Sequence, residues 1–512
     1  MNPTTRSRNY ISEVFQNKIL IFFAILVTAL CFGFTITHFS IGVDDVARQH
    51  YLYSNGSGSM IQQGRLLHLV INGLTGIVDW IPFFTEFVGA GLFCVSALLF
   101  CSLLQTVCEG TLSTVALTAF VCVYISSSIN VEKFLYHLDV IAISVSFCAC
   151  ALSLLYAYRH ITCQDAGIIP PVALLMVAIG GYESFIFLYI CGVFSILILE
   201  ILKNPEENRF SALLQQGLRY AAVLLIAAAV YYGIAVALQI LTAQFQVFSR
   251  YTIWEVSEDG FLSTLCLVLS TLFEELTTLL QERYVPICVF FGASLGGALL
   301  ILWLAQRKKN WWLLPCFLAM LLCNLGISVF FGGFHPRMAQ TMCFYDGFLI
   351  LLAVQVFWKS PAFRKWVICA VSLLVLVQSA DMNRWFYNDY VRYEKESFVV
   401  HTLATKLLDS CDLSKPVVFT NCATVGDGYL NTHLYEGGDA NGNSVIYWCS
   451  NTALDFCPNL TSELFRLHGY DFIRPATFEQ AARANQLAKG MPVWPQEGCI
   501  REFDDVIAVN FG

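Results

Sequence analysis

Charged side chains are scarce in this sequence: Asp, Glu, Lys and Arg make up 13% of 512 residues, against about a quarter in an ordinary soluble domain. No basic run of the kind that follows a phosphate backbone occurs, and the net charge is -8, which excludes a nucleic-acid role. A P-loop and a dinucleotide fingerprint are both missing, so ATP-driven transport by this chain alone is disfavoured. The 20 cysteines contain no C-x-x-C zinc or haem spacing. All but Cys411, Cys422, Cys449, Cys457 and Cys499 precede Asp381, mostly inside apolar stretches, where a thiol behaves as a small hydrophobe. What is abundant is apolar: 57% hydrophobic and 14% aromatic residues, with a mean hydropathy of +0.63. A soluble fold has nowhere to hide this much apolar surface. The composition is that of a polytopic membrane protein.

Apolar runs long enough to cross a ~30 Å hydrocarbon layer recur up to residue 380. The expected spans are 19–39, 83–107, 111–130, 138–158, 166–181, 184–202, 220–242, 285–305, 311–332, 338–358 and 365–380. The fifth follows Pro170-Pro171 and meets the sixth at Gly180-Gly181-Tyr182-Glu183, which reads as a tight hairpin. A further apolar stretch at 261–280 is closed early by Glu274 and Glu275, which places it at the interface or as a re-entrant segment. With a cytoplasmic N-terminus, inner segments carry thirteen Lys and Arg and outer segments before the tail carry six. That bias sets the orientation. The first span has no clear cleavage site and ten more follow it, so it reads as an anchor.

Eleven crossings put residues 381–512 outside, where they form a small α/β domain. KPVVFTNC (415–422) and SVIYWC (444–449) read as strands, and Ser462–Leu467 with 476–487 as helices. Disulfides persist outside the membrane, and Cys449–Cys457 and Cys411–Cys422 are the nearest pairs. Asp439 to Asn443 copies half an EF-hand loop, but Ser444 and Ser450 break the pattern. Asn55 and Asn459 fit a glycosylation signal that matters only in a eukaryotic secretory route.

The outer loops hold the unusual chemistry. Asp44 and Asp45 follow the first span directly, with Arg48 close behind. Like charges so close raise at least one pKa, so one can accept a proton while its neighbour organises Arg48 or a cation. Next, Gln63-Gly64-Arg65 opens a segment of helical period, 62–80. Leu66, Leu69, Val70 and Leu74 share one face and Arg65, His68 and Asn72 lie near another, as in a helix lying along the interface. Tyr182 and Glu183 sit at the turn between spans five and six. His335 and Arg337 lie between spans nine and ten, where Arg337 is the only cation. The outer loop 243–284 adds Arg250, Tyr251, Glu255, Glu258 and Asp259 as weaker candidates.

GVDDVARQHY at 42–51, QGRLLHLVINGL at 63–74 and GGYESF at 180–185, with the order of the spans, resemble the bacterial O-antigen glucosyltransferase II family. The resemblance covers roughly residues 15–380 and implies an all-α integral membrane glycosyltransferase of the GT-C type in the bacterial inner membrane. Such enzymes move glucose, or a related sugar, from a polyprenyl-phosphate sugar to a surface polysaccharide outside the membrane. A synthase that makes the donor and a flippase that turns it over are the partners implied. The acidic residue that the family uses in its first outer loop matches Asp44 or Asp45, and its glutamine matches Gln63. Leu66 stands where relatives often have tryptophan. A lipid-phosphate donor also accounts for the loop residues: Arg65 and Arg337 suit its phosphate, and Asp44 or Asp45 suits removal of the acceptor's proton. Arg48, Gln63, Tyr182, Glu183 and His335 complete the substrate-binding candidates. No cofactor is required, although adjacent carboxylates can hold Mg²⁺ or Mn²⁺. The competing reading is a transporter or flippase of a lipid-linked sugar. It calls for an internal repeat, and none is evident.

Overall fold

A computed structural model describes residues 10–47, 58–75, 81, 83–204, 210–243, 261–421, 443–449 and 457–512. Among the described residues, ten helices are long and apolar enough to cross a membrane, and two shorter apolar ones accompany them. Helices dominate because lipid offers no partner for a free N–H or C=O, so every backbone bond must close within its own segment.

The first long helix, α1 (Lys18–Thr37), starts where Asn17 accepts the Leu20 N–H at 3.2 Å. It packs Ala24, Cys31 and Phe32 inward and leaves Ile19, Phe22, Ile25 and Leu30 on its outer face. A short helix, α2 (Leu66–Thr75), follows, and then α3 (Phe84–Val107), α4 (Thr114–Ser126) and α5 (Val140–Tyr158). α6 (Ile169–Gly181) opens on Pro170-Pro171, where a missing N–H costs nothing. Next come α7 (Phe185–Lys203), α8 (Phe210–Thr242), α9 (Phe261–Gln281), α10 (Val285–Lys308), α11 (Leu313–Phe331) and α12 (Thr341–Phe357). Buried rings of Phe32, Phe93, Tyr124, Phe134 and Phe147 interlock at the centre, mostly edge to face. Gly181 touches α5 so closely that a Cβ there would run into Ser146 Oγ and the Ala142 carbonyl.

The 261–281 helix, expected at the interface or as a re-entrant segment, meets the length and composition criteria for a crossing. α8 ends near the 58–65 loop, where Gln239 Nε2 donates to the Ile61 carbonyl at 3.1 Å. α10 begins at the same end of the bundle, with the Tyr284 ring against Trp385. α8 therefore ends and α10 begins on one face, as an interfacial or re-entrant α9 would require. Its Glu275 accepts the Phe334 N–H at 2.6 Å on that face. Without α9, eleven of the described helices correspond to the eleven expected spans.

The last traverse, α13 (Pro361–Ser410), runs for 50 residues without a break, so the boundary drawn at 380/381 falls inside a helix. Beyond it, β1 (Val417–Thr420) pairs parallel with β3 (Ile507–Asn510), and β2 (Ile500–Glu502) pairs antiparallel with β3, in the order β1-β3-β2. Helices α14 (Val445–Cys449), α15 (Cys457–Leu467) and α16 (Phe478–Leu487) pack beside this sheet. Residues 444–449, read as a strand, are instead a helical turn begun by Ser444, whose Oγ accepts the Tyr447 N–H at 3.1 Å. A shared core of Val399, Leu403, Phe419, Val445 and Phe465 joins the domain to Ile41, Val43 and Val46. The tail thus sits on the loop that carries Asp44. Cys411 and Cys499 are free thiols. Cys422, the Cys457 side chain, Asn55, residues 439–442 and Ser450 lie outside the described residues.

Candidate active site

Residues 43–47 form a helical turn after α1, and its neighbouring carboxylates point apart. Asp44 is about half exposed and lies 3.4 Å from Arg337 Nη1. Asp45 is buried. Its Oδ2 accepts the Gly42 N–H at 3.3 Å, closing the first turn, and its Oδ1 accepts the Leu138 N–H at 3.2 Å. Burial pushes its pKa up to about 6, against the pull of His137 and the two backbone donors. His137 Nδ1 stands 2.7 Å from Glu86 Oε1 and its Nε2 is 3.3 Å from Ser40 Oγ. Burial would lower the His137 pKa, but Glu86 and Asp45 outweigh it and raise it. The two aspartates therefore do different work: one is tied into the fold, and the other faces outward.

Arg337 is held on several sides. Its backbone N–H donates to Glu132 Oε2 at 3.0 Å, and its Nη1 reaches Tyr136 Oη at 3.4 Å. The Tyr136 hydroxyl in turn donates to Glu132 Oε1 at 3.3 Å. Burial of Arg337 opposes its charge, yet Tyr182, Tyr136, Asp44 and Glu132 hold the guanidinium protonated.

Arg65 packs on Tyr182, one of the tyrosines that act on Arg337. Its guanidinium carbon lies 4.9 Å from the Tyr182 ring centroid, and Nη1 is 3.4 Å from Asp139 Oδ2. Asp139 also faces His68 Nδ1 at 3.2 Å, while His68 Nε2 is 3.1 Å from the Gly181 carbonyl. The orientation of α2 follows: His68 and Leu67 face the protein, and Val70 and Leu74 are exposed. The apolar Val70 and Leu74 face outward, as a helix at the interface requires, but Arg65 and His68 turn to Asp139 within the protein. Gly64, at φ +67°, turns the chain there, and its carbonyl accepts from Tyr231 of α8. Glu183 is half-buried beside this turn. Its pKa is raised by burial, with Arg65 opposing.

Asp44, Arg65, Tyr182, Glu183 and Arg337 are thus brought to one end of the bundle, with Tyr182 under Arg65 and close enough to act electrostatically on Arg337. Neither arginine is the isolated cation that the sequence suggested. Gln63 is in the same turn as Gly64, with its side chain exposed. His335 is also exposed, at the start of a single 3₁₀ turn, and burial and Arg337 lower its pKa. Arg48 and residues 250–259 lie outside the described residues. Asp44 and Asp45 do not converge on one point, and Asp45 already spends both oxygens on backbone donors. The pair does not fit a shared divalent cation, and among the described residues no group of three His, Cys, Asp or Glu does.

Sequence reasoning passed over Glu86, Glu132, Tyr136, His137 and Asp139. A signal was present: Glu132 to Asp139 packs Glu132, Lys133, His137, Asp139 and a tyrosine into eight residues between two spans, where such residues are expensive.

The sequence profile of the glucosyl transferase GtrII family matches residues 33–349. The chain belongs to that family. The matched segment contains Asp44, Gln63, Arg65, Glu132, Tyr182 and Arg337, and it ends before α13. GtrII membership makes the protein a membrane glycosyltransferase and decides against a transporter or flippase. No curated protein matches the chain. Among solved structures, ArnT from Cupriavidus metallidurans, bound to undecaprenyl phosphate, is similar at 13% identity over 93% of this chain and 82% of that chain. The TM-score is 0.34, too low to carry residues across, so the site of this GtrII member rests on its own geometry.

Proposed function

We propose that the protein transfers a hexose, glucose in the first instance, from a polyprenyl-phosphate sugar to a polysaccharide hydroxyl at the outer face of the cytoplasmic membrane. The observation that carries this reading is the gathering at one end of the bundle of Arg65, packed on the Tyr182 ring, and Arg337, packed on the Tyr136 ring with the half-exposed Asp44 beside it. Two guanidinium forks at the mouth of a lipid-embedded bundle suit a phosphate whose tail stays among the helices. The known solved likeness to a protein bound to undecaprenyl phosphate is too loose to add weight.

The chemistry is a single displacement. The acceptor oxygen forms a bond to the anomeric carbon while the bond from that carbon to the phosphate oxygen breaks. Its electron pair leaves with polyprenyl phosphate, and the arginines meet the added charge. The acceptor's proton passes to the Asp44 carboxylate, and the anomeric centre inverts. A carboxylate paired with arginine is a poor base, and at 3.4 Å and half exposed the Asp44–Arg337 contact is weak. An arriving phosphate competes for Arg337 and frees Asp44 as the donor docks. No metal is needed for this sequence of events.

Purified protein in vesicles should convert radiolabelled polyprenyl-phosphate glucose, with an O-polysaccharide acceptor, into labelled glycan. Nucleoside-diphosphate glucose should not replace the donor. Transfer from the nucleotide sugar alone would overturn the reading.

A further inference from the structure

Outside the matched segment, α13 carries a charged cluster that the reaction just described does not use. Arg392 is 2% exposed, Asp389 0% and Glu396 1%. Arg392 Nε donates to Asp389 Oδ1 at 2.9 Å and Nη1 to Glu396 Oε2 at 2.6 Å. The third branch, Nη2, donates to the Ile41 carbonyl at 2.6 Å. The tail domain completes the cluster: Asn443 Nδ2 donates to Asp389 Oδ1 at 2.8 Å, Ser444 Oγ bonds Glu396 Oε1, and the Ile446 N–H points at the same oxygen at 3.3 Å.

Burying two carboxylates against one guanidinium is costly, and well-packed apolar residues would often hold a junction as firmly. Directional contacts are what such a cluster adds, and the direction here is specific. The Ile41 carbonyl and the Gly42 N–H belong to one peptide group. Arg392 grips its oxygen, and Asp45 Oδ2 accepts its N–H at 3.3 Å. Gly42 is so close to Asn443 that a Cβ would overlap the amide. The peptide plane two residues before Asp44 is therefore fixed from the tail side and from the membrane side at once.

We propose that Arg392 is a positioning residue for the transfer reaction: through the Ile41–Gly42 peptide it sets where the Asp44 carboxylate stands, which makes the C-terminal domain part of the catalytic apparatus. This rests on Asp44 as the base. Donor binding depends on Arg65 and Arg337, which the cluster does not touch, so the effect belongs to turnover and not to donor affinity.

The test uses full-length protein in vesicles, with folding followed by thermal melting, donor binding by retention of radiolabelled polyprenyl-phosphate glucose, and kcat by label transfer. Arg392→Lys keeps the charge but loses the fork. Its kcat should fall by up to roughly 10²-fold, the cost of a misplacement on the order of 1 Å, with donor affinity within about twofold. Asn443→Ala, a gentler change in the same cluster, should lower kcat several-fold in the same manner and decides the matter if Arg392→Lys does not fold. The double variant R392K/D44N, or N443A/D44N, should turn over no more slowly than D44N alone, because a displaced base that cannot take the proton has nothing left to lose. Losses that multiply in the double variant would overturn the inference while leaving Asp44 as the base. Unchanged kcat in both single variants, or donor affinity falling in step with kcat, would also overturn it. Near-normal turnover by D44N alone would instead sink the base assignment, and this inference with it.

Discussion

At the residue scale, the site separates side chains that hold the loops from side chains left to meet substrate. Arg65 and Arg337 each keep one partial contact at 3.4 Å to a carboxylate, so both forks have donors to offer a phosphate. Replacing either by Ala should weaken donor binding by about 10- to 100-fold, the worth of a charge-assisted hydrogen bond of ~1.5–3 kcal/mol. Lysine should restore only part, since a point charge cannot reproduce the fork. Equal affinity of both Ala variants and the parent for radiolabelled donor would remove these residues from the headgroup site. Asp45 offers a different test. Its pKa is raised to about 6 from 3.8, so it favours the folded state most fully when protonated, below pH ~4, and that contribution is lost as the pH climbs through 6. Asp45→Asn cannot ionise. Its melting temperature should fall less between pH 4 and 6 than that of the parent, and an identical slope in differential scanning would contradict the assignment.

At the scale of elements, close contact and parity govern the bundle. Gly181 lets α6 lie on α5 without a Cβ between them. Gly181→Ala should force the helices apart and cost about 1–3 kcal/mol, read as a lower melting temperature. An unchanged melting temperature would contradict that contact. For α9, single cysteines at Leu262 and Gln281, in a background cleared of exposed native thiols, should both react with an impermeant maleimide from the same side. Labelling from opposite sides would make α9 a crossing. The spans were legible in the sequence because lipid demands long apolar runs, whereas 261–281, set apart in the sequence by Glu274 and Glu275, is itself long and apolar enough to cross, and the labelling decides it. Residues 444–449 were misread because Val, Ile, Tyr and Trp favour strands in isolation, whereas here Ser444 caps a turn buried against α13. The candidate residues were legible as polar groups out of place. Their partners were not: Arg65 with Asp139, Arg337 with Asp44 and Arg392 with Ile41 are separated by 74, 293 and 351 residues, and no local pattern encodes such distances.

At the scale of the whole molecule, the core shared with Ile41, Val43 and Val46 puts the Asp44 loop and the C-terminal domain at the same end of the bundle, and the positive-charge bias predicts that this end faces outside the cytoplasm. A reporter active only outside, fused after Gly512, should be active, and one active only inside should work after Lys309. An inactive outer reporter in a stable fusion would invert the orientation and move the site to the cytoplasmic face. The claim that joins these scales is that a glycosyltransferase assembled on one face of a membrane uses Asp44 as its base. The most direct measurement is turnover of radiolabelled polyprenyl-phosphate glucose by Asp44→Asn, with donor binding and folding followed on the same samples. Asn keeps the size and hydrogen bonding but cannot take the proton, so the expected result is a loss of about 10²–10⁴-fold in turnover with donor binding retained. Near-normal turnover by a folded, donor-binding D44N protein would contradict it and turn attention to Glu183.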